Sequence, residues 1–151
     1  MAQSPMERAL LLAKEAAEAG EVPVGAVIVS SQGEVLSEAR NRIVELNDAT
    51  AHAEILAIRA ASEMLGSERL IDCDLYVTLE PCTMCAGAIS LARLRRVYFG
   101  AGDPKGGGVE HGACFFEQPT CHHRPEVYGG LSESEAARLL KDFFVAKRGG
   151  V

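Results

Sequence analysis

The sequence predicts an α/β sandwich in which an antiparallel pair of strands lies beside parallel strands. Apolar strand-like runs alternate with amphipathic helical segments along the chain. A turn signal at 31–33 also separates two adjacent strand-like runs, as in an antiparallel pair. Because the 151 residues contain no evident linker or repeat, we expect a single domain over residues 1–151.

The first half of the chain supplies a helix, the strand pair and a second helix. Ser4 is suited to cap a helix that Gly20 ends. The apolar run over 24–29 predicts a buried strand, and residues 34–40 form its antiparallel partner. A second helix is expected over about 52–64, with its isoleucines and alanines on the buried side.

The second half continues this alternation and ends in a helix. In chain order, we expect a strand over 75–79, a helix over 82–92, a strand over 97–99, a glycine-rich loop over 100–112 and a strand over 126–128. Ser132 and Glu135 have the spacing of a capping box, which predicts a last helix that runs to about residue 147.

Composition excludes several classes of protein. Hydrophobic residues make up 48% and charged residues 24% of the chain, as in ordinary water-soluble proteins. The chain contains no apolar run of about 20 residues, so we expect no membrane span. Five cysteines without an export signal predict a cytoplasmic protein that uses some thiols for metal binding or catalysis. The net charge of −6 argues against non-specific binding of nucleic acid.

A pair of cysteines opens the third predicted helix. Cys82 and Cys85 follow Pro81 and share one helix face, so both sulfurs can reach one metal ion. The positive end of the helix favours their thiolate form. A C-x-x-C pair alone fits a redox centre equally well.

His52 and Glu54 make the metal interpretation the stronger one. His52 would be a third protein ligand, which leaves the fourth position of a tetrahedral zinc ion open for water, as in catalytic sites. Glu54 would take a proton from that water and pass it to a leaving amine. Either residue alone would be ordinary at a helix start. The joint pattern, H-x-E followed by P-C-x-x-C after a strand, predicts a zinc-dependent deaminase.

At these residues the chain resembles the bacterial tRNA-specific adenosine deaminases. The similar segments cover most of the chain: 21–26, 41–42, 48–59, 75–89, 99–108 and 142–144. The resemblance implies a three-layer α/β/α sandwich with a central mixed five-stranded sheet, the cytidine deaminase-like fold. It also implies one zinc ion per subunit, a homodimer, and conversion of adenosine to inosine at the first anticodon position of tRNA, with the anticodon stem-loop as the partner.

The same resemblance implies residues that bind the substrate. Asn41 would hydrogen-bond the target base, and the backbone of Ala53 would help to position it. Contacts to the surrounding RNA are expected from the following residues: Asp103, Lys105, His123, Arg124, Phe143 and Phe144.

Several alternatives remain open at this point. A deaminase of free guanine, cytosine or cytidine would use the same zinc ion and glutamate, and a zinc-stabilised RNA-binding module would need the zinc without Glu54. The Arg and Lys residues near 93–96, 105 and 141–148 form either an RNA-binding strip or solvated helix ends. The run 121–124 suggests a second metal, but we prefer a loop near RNA because adjacent residues rarely converge on one ion. Cys73 and Cys114 are expected to be structural thiols.

Overall fold

The computed structural model describes residues 3–149, and in them a five-stranded mixed sheet lies between two layers of helices. The elements are α1 (Pro5–Glu18), β1 (Gly25–Val29), β2 (Val35–Arg40), α2 (Ala53–Leu65), β3 (Asp74–Leu79), α3 (Thr83–Leu91), β4 (Arg96–Ala101), β5 (Glu126–Tyr128) and α4 (Glu133–Gly149). The predicted three-layer α/β/α sandwich is confirmed.

The sheet has the strand order β2-β1-β3-β4-β5. β1 pairs antiparallel with both β2 and β3, whereas β3, β4 and β5 run parallel to one another. The predicted antiparallel pair beside parallel strands is therefore confirmed. The carboxyl ends of β3 and β4 meet at one edge of the sheet, where α/β proteins commonly place their sites.

Each face of the sheet has its own hydrophobic core. On one face, the small residues of α2 and the apolar residues of α3 pack against Ile28, Leu75 and Val77. On the other, α1 and α4 pack against Val27 and Val29. Alternate residues of β1 thus point into different cores, which explains why this strand is apolar at every position.

The N-terminus of α1 forms as predicted. The Ser4 hydroxyl accepts the Glu7 N–H at 3.1 Å, and Pro5 occupies the first turn. The helix then passes close to Gly25 at the start of β1, where a Cβ atom would collide with the Ala9 carbonyl oxygen. The absence of a side chain at residue 25 is what lets this helix lie against the sheet.

Two predictions at the other end of the chain are wrong. β4 continues to Ala101, because the Glu80 N–H extends the ladder to the Ala101 carbonyl at 2.8 Å, so the glycine-rich loop begins at residue 102. Ser132 has a φ of 57°, outside the extended conformation of an N-cap, so the expected capping box does not form. A short 3₁₀ helix at Phe115–Glu117 was also not anticipated.

Three tyrosines stack across the parallel strands. Tyr76 and Tyr98 lie with ring centroids 4.5 Å apart and an interplanar angle of 7°. Tyr128 extends the stack at 5.1 Å from Tyr98. Each strand from β3 to β5 contributes one ring, so the stack ties the short edge strand β5 to the rest of the sheet.

Within residues 3–149, the helices are too short or too polar for any of them to span a lipid bilayer.

Candidate metal centre and active site

Two helix N-termini meet at the carboxyl end of β3. His52 is the N-cap residue of α2 and Cys82 that of α3; both have extended backbones, and neither side chain caps its own helix. Both side chains are therefore available to a ligand. Cys85, one turn into α3, is fully buried beside them. The positive ends of both helices favour negatively charged ligand atoms at this point.

The three ligand atoms of His52, Cys82 and Cys85 lie within 4.8 Å of one another. The His52 Nδ1 atom is 3.7 Å from the Cys82 sulfur and 3.5 Å from the Cys85 sulfur. A tetrahedral zinc ion with ordinary Zn–N and Zn–S bonds separates such atoms by about 3.6 Å. The arrangement fits zinc, and its three ligands leave one coordination position open.

The charge state of the three side chains is suited to a metal ion. Hydrogen bonding with Cys85, helped by His52 and opposed by burial, lowers the pKa of Cys82 to about 4. The same Cys82–Cys85 hydrogen bond raises the pKa of Cys85, and hydrogen bonding to Cys82 raises that of His52. Cys82 thus favours the thiolate form that binds metal, and a metal ion would displace the proton on Cys85.

Glu54 is the second residue of α2 and is buried, with 4% of its surface exposed. Because His52 lies outside the helix while Glu54 lies inside it, residues two apart can face the same space. Burial raises the pKa of Glu54 to about 7, although a hydrogen bond from its own backbone N–H and the charge of His52 both act to lower this pKa. A carboxyl group with this pKa can both accept and donate a proton near neutral pH.

A cavity of about 260 Å³ opens over the metal ligands and Glu54. Its volume is near the lower end of that of small-molecule sites, about 300–1,000 Å³. The polar lining comes from His52, Glu54, Cys82, Asn41, Glu80 and Asp103, and the apolar lining from Val22, Val24, Ile43 and Leu79. A flat apolar group with polar edges would suit this lining.

Asn41 lines this cavity and is hydrogen-bonded to the backbone of Ala53. The Asn41 Oδ1 atom accepts the Ala53 N–H at 2.8 Å, and Asn41 Nδ2 donates to the Val22 carbonyl at 3.1 Å. Asn41 is buried, so its amide joins the end of β2 to the start of α2. The backbone of Ala53 was expected to help to position a base, and its N–H is engaged by Asn41 in this structure.

The glycine-rich loop over 102–112 forms another wall of the cavity. Asp103 lines the cavity, and its Oδ1 atom accepts the backbone N–H groups of Lys105 and Gly106. Lys105 is exposed beside it. The structure therefore brings Asp103 to the site, whereas Lys105 is exposed and does not line the cavity.

The structure does not bring the other four expected RNA contacts to the cavity lining. His123 Nε2 lies 2.6 Å from the Leu94 carbonyl, and Arg124 Nε donates to the Phe116 carbonyl at 2.8 Å. Phe143 and Phe144 lie on α4 with their rings edge to face, and Phe144 is 44% exposed.

Two of the basic residues after α3, Arg95 and Arg96, are paired with acidic side chains. Arg95 makes a bidentate ion pair with Asp74 at 2.8 and 2.9 Å, and Arg96 pairs with Glu126.

In the described part of the chain, the only group of three or more His, Cys, Asp or Glu side chains suited to a metal is the one above, so the run 121–124 forms no second metal site. Cys121 instead contacts Ser90 at 3.6 Å.

Two buried carboxylates beside the cavity were not singled out from the sequence. Glu80 accepts hydrogen bonds from the 102–112 loop, and Glu21 accepts the N–H groups of Val44 and Glu45 on the opposite side. The sequence does contain a signal for Glu80, because a charged residue directly follows a buried strand and precedes the metal-binding helix.

The comparisons with known proteins agree with this site. The profile described as the cytidine and deoxycytidylate deaminase zinc-binding region matches residues 1–101. A tRNA-specific adenosine deaminase from Agrobacterium fabrum is 63% identical over 143 residues, which cover 95% of this chain and 93% of the relative.

Solved structures place the fold in the same group. One from a study of A-to-I editing by tRNA:A34 deaminases superposes with a TM-score of 0.88 at 63% identity, covering 90% of this chain and 98% of that one. A guanine deaminase from Bacillus subtilis has a TM-score of 0.66 at 35% identity, covering 98% and 95%. The chain belongs to the tRNA-specific adenosine deaminase family, within the zinc-binding deaminases.

Proposed function

We propose that this chain hydrolyses adenosine to inosine and ammonia at the first, wobble position of a tRNA anticodon. The observation that carries the proposal is a three-ligand zinc site beside a buried Glu54, in a chain 63% identical to a tRNA-specific adenosine deaminase. His52, Cys82 and Cys85 would hold one zinc ion. When bound, zinc supplies Lewis acidity that lowers the pKa of a water molecule to about 7.

The protein's own groups would carry the protons. Glu54 takes one proton from the attacking water and delivers it to the purine ring nitrogen beside C6 as the oxygen bonds to C6. It then takes the remaining hydroxyl proton and delivers it to the amine at C6, so that the C6–N bond breaks, ammonia leaves and the carbonyl of inosine forms. One carboxyl group serves both transfers because water and base share one small cavity. The target base must first turn out of the anticodon loop to enter that cavity.

We assign the recognition of the base to Asn41 and to the residues around it. Asn41 retains a second amide N–H beyond its bond to Val22, and this donor would meet an acceptor on the purine edge. The backbone of Ala53 would support it through the Asn41 hydrogen bond. The apolar residues Val22 and Ile43 would contact the faces of the base.

Contacts to the RNA around the target base would come from the loop and from α4. Asp103 is suited to the flanking nucleotides because it lines the cavity, and Lys105 because it is exposed and its backbone N–H is bonded to Asp103. Phe144 offers an exposed ring on which a base can stack. Arg124 donates only its Nε–H to the Phe116 carbonyl, so its other guanidinium N–H groups would be available to bind RNA. The contact of His123 with the Leu94 carbonyl would hold the loop that carries Arg124 in place.

The decisive experiment compares substrates. We would incubate the zinc-loaded protein with an anticodon stem-loop that carries adenosine at the first anticodon position, and in parallel with free adenosine, cytidine, cytosine and guanine. We expect inosine in the stem-loop alone, and none with Glu54→Ala that still binds zinc. Turnover of a free base or nucleoside alone would overturn the tRNA assignment, and turnover of guanine in particular would match the guanine deaminase relative.

We also propose that the protein is a homodimer. Ile55, Ile58, Ala88 and Leu91 line a shallow, mainly apolar groove between α2 and α3, and Leu91 is 78% exposed. A second copy of the chain would cover these side chains. Sedimentation equilibrium should give twice the chain mass, and Leu91→Asp should give monomers. Val35→Asp, at a 50% exposed position on the edge strand β2, is the control.

The five cysteines are all free thiols, which suits the reducing cytoplasm, where tRNA is found; cell fractionation would test this location.

We take residues 1–151 to be one domain because both hydrophobic cores share one sheet. A single cooperative unfolding transition in zinc-saturated protein is the expected result.

A further inference from the structure

The side chain of Glu80 is fully buried, and its carboxylate lies inside the turn of the 102–112 loop. Taking a carboxylate out of water is costly unless hydrogen bonds compensate for the lost solvation. Glu80 has no place in the proton transfers assigned to Glu54. Its surroundings therefore indicate a second purpose for a charged group beside the cavity.

Five donors converge on the Glu80 carboxylate. The Oε2 atom accepts the backbone N–H groups of Val109, Glu110 and His111 at 3.1, 2.8 and 3.0 Å. The Oε1 atom accepts the Asp103 N–H at 2.9 Å and lies 2.6 Å from His111 Nδ1. Both ends of one loop are thus attached to a single side chain, in the manner of an anion bound in a nest of amides.

The loop is also shaped to approach this carboxylate closely. A Cβ atom on Gly107 would collide with Glu80 Oε2, and one on Gly108 would collide with the backbone of Thr83. The Gly108 N–H donates to the Pro81 carbonyl at 2.8 Å. The loop therefore packs tightly against the segment that carries the metal ligands.

We infer that Glu80 is a positioning residue for RNA: its carboxylate holds the 102–112 loop in the conformation that receives the nucleotides beside the target base. This inference rests on the proposed function. Asp103 and Gly106 of this loop line the cavity, and Lys105 lies between them. Releasing the Asp103 N–H would free the residues nearest the substrate while leaving His52, Cys82 and Cys85 in place.

Glu80→Gln tests this role with little change of shape. An amide has one acceptor oxygen, and its NH₂ group only donates. If the oxygen stays with the three N–H groups of Val109, Glu110 and His111, the NH₂ group faces the Asp103 N–H. Two donors then oppose each other at the residue expected to meet RNA.

Glu21→Gln is the matched control. Glu21 is as buried as Glu80, and it accepts the N–H groups of Val44 and Glu45 at 3.2 and 2.9 Å. The same isosteric change there disturbs a different loop. Any effect that both variants share reflects general destabilisation, not the 102–112 loop.

We would measure zinc content, amide hydrogen exchange and stem-loop kinetics for both variants. For Glu80→Gln we expect one zinc per chain, faster exchange of the 103–111 amides by about tenfold or more, and unchanged exchange in α2 and α3. The KM for the stem-loop should rise by about tenfold while kcat changes by less than about threefold, because the loop binds RNA and does not touch the reacting atoms.

Each other outcome overturns the inference. Lost zinc or a fall in kcat alone would place Glu80 in the metal centre. Faster exchange with unchanged KM would mean that the loop does not bind substrate, and raised KM with unchanged exchange would mean that Glu80 acts by another route. Equal loop exchange in Glu21→Gln would indicate global loosening. If the wild-type protein does not edit the stem-loop, the proposed function fails, and the exchange data still decide whether Glu80 holds the loop.

A second pair of variants avoids changing the buried side chain. His111→Ala removes one of the five donors from the exposed side of the loop, whereas His111→Asn offers an amide N–H near the position of Nδ1. We expect a smaller rise in KM and in 103–111 exchange for His111→Ala, and recovery of both with His111→Asn. Equal behaviour of the two variants would contradict the anchoring role.

Discussion

Asn41 links three segments of the chain at the level of a single side chain. Its amide accepts the Ala53 N–H and donates to the Val22 carbonyl, and it is buried. Asn41→Ala should lower the free energy of unfolding by about 1–3 kcal/mol, because two buried backbone groups lose their partner. Urea denaturation at saturating zinc would measure the loss. Gln32→Ala, which removes an exposed amide in the β1–β2 turn, should leave stability within about 0.5 kcal/mol of wild type.

The residues of the metal centre could be predicted from the sequence because local geometry brings them together. Cys82 and Cys85 share one turn of helix, and His52 and Glu54 span one helix start. The hydrogen bonds of Asn41 and Glu80 could not be predicted, since their partners lie 12 to 31 positions away with no periodic pattern between them. The pairing of Arg95 with Asp74 was missed for the same reason.

Among the structural elements, the two predicted capping sites behave differently. Ser4 caps α1, whereas Ser132 has a left-handed backbone at the start of α4. Ser4→Ala should cost about 1 kcal/mol of stability because the Glu7 N–H loses its acceptor. Ser132→Ala should cost less than about 0.5 kcal/mol. Thermal and urea unfolding of both variants would test the difference, and equal losses would mean that Ser132 caps its helix in solution.

The metal centre joins the first turns of α2 and α3, so zinc should contribute to the stability of their packing. Chelation should lower the melting temperature. Free zinc at 1,000 times its Kd should raise the free energy of unfolding by about 4 kcal/mol. Cys82→Ala should remove this dependence on zinc, and Cys114→Ala, at a thiol outside the ligand set, should retain it. Calorimetry with and without chelator is the measurement. A melting temperature of the wild-type protein that does not depend on zinc would contradict this arrangement.

Helices and strands with clear periodicity were predicted within a residue or two, because burial of one face fixes both their type and their length. The segment over 102–125 was harder. Its conformation depends on Glu80, on the 3₁₀ helix at Phe115–Glu117 and on the contacts of His123 and Arg124 with backbone carbonyls. Such tertiary contacts leave no signal in a short window of sequence.

For the whole molecule, the net charge of −6 limits how strongly an RNA backbone can be attracted. Arg95 and Arg96 are paired with acids and lie at the amino end of β4, whereas the cavity lies at the carboxyl ends of the strands, so neither is placed to bind RNA beside the target base. We expect a shallow salt dependence of stem-loop binding in the inactive Glu54→Ala protein. Lys105→Ala should reduce the slope of log Kd against log salt by about 0.7. Fluorescence anisotropy between low and moderate salt would measure it, and Lys14→Ala, on α1, should leave the slope unchanged.

The tyrosine stack makes the protein an optical reporter of its own sheet. The chain has three tyrosines and no tryptophan, and all three rings lie in the stack across β3, β4 and β5. Ultraviolet fluorescence and near-ultraviolet circular dichroism from tyrosine therefore arise at one place. Detachment of β5 would alter these spectra before the two cores separate, so edge fraying and global unfolding can be distinguished without an added dye.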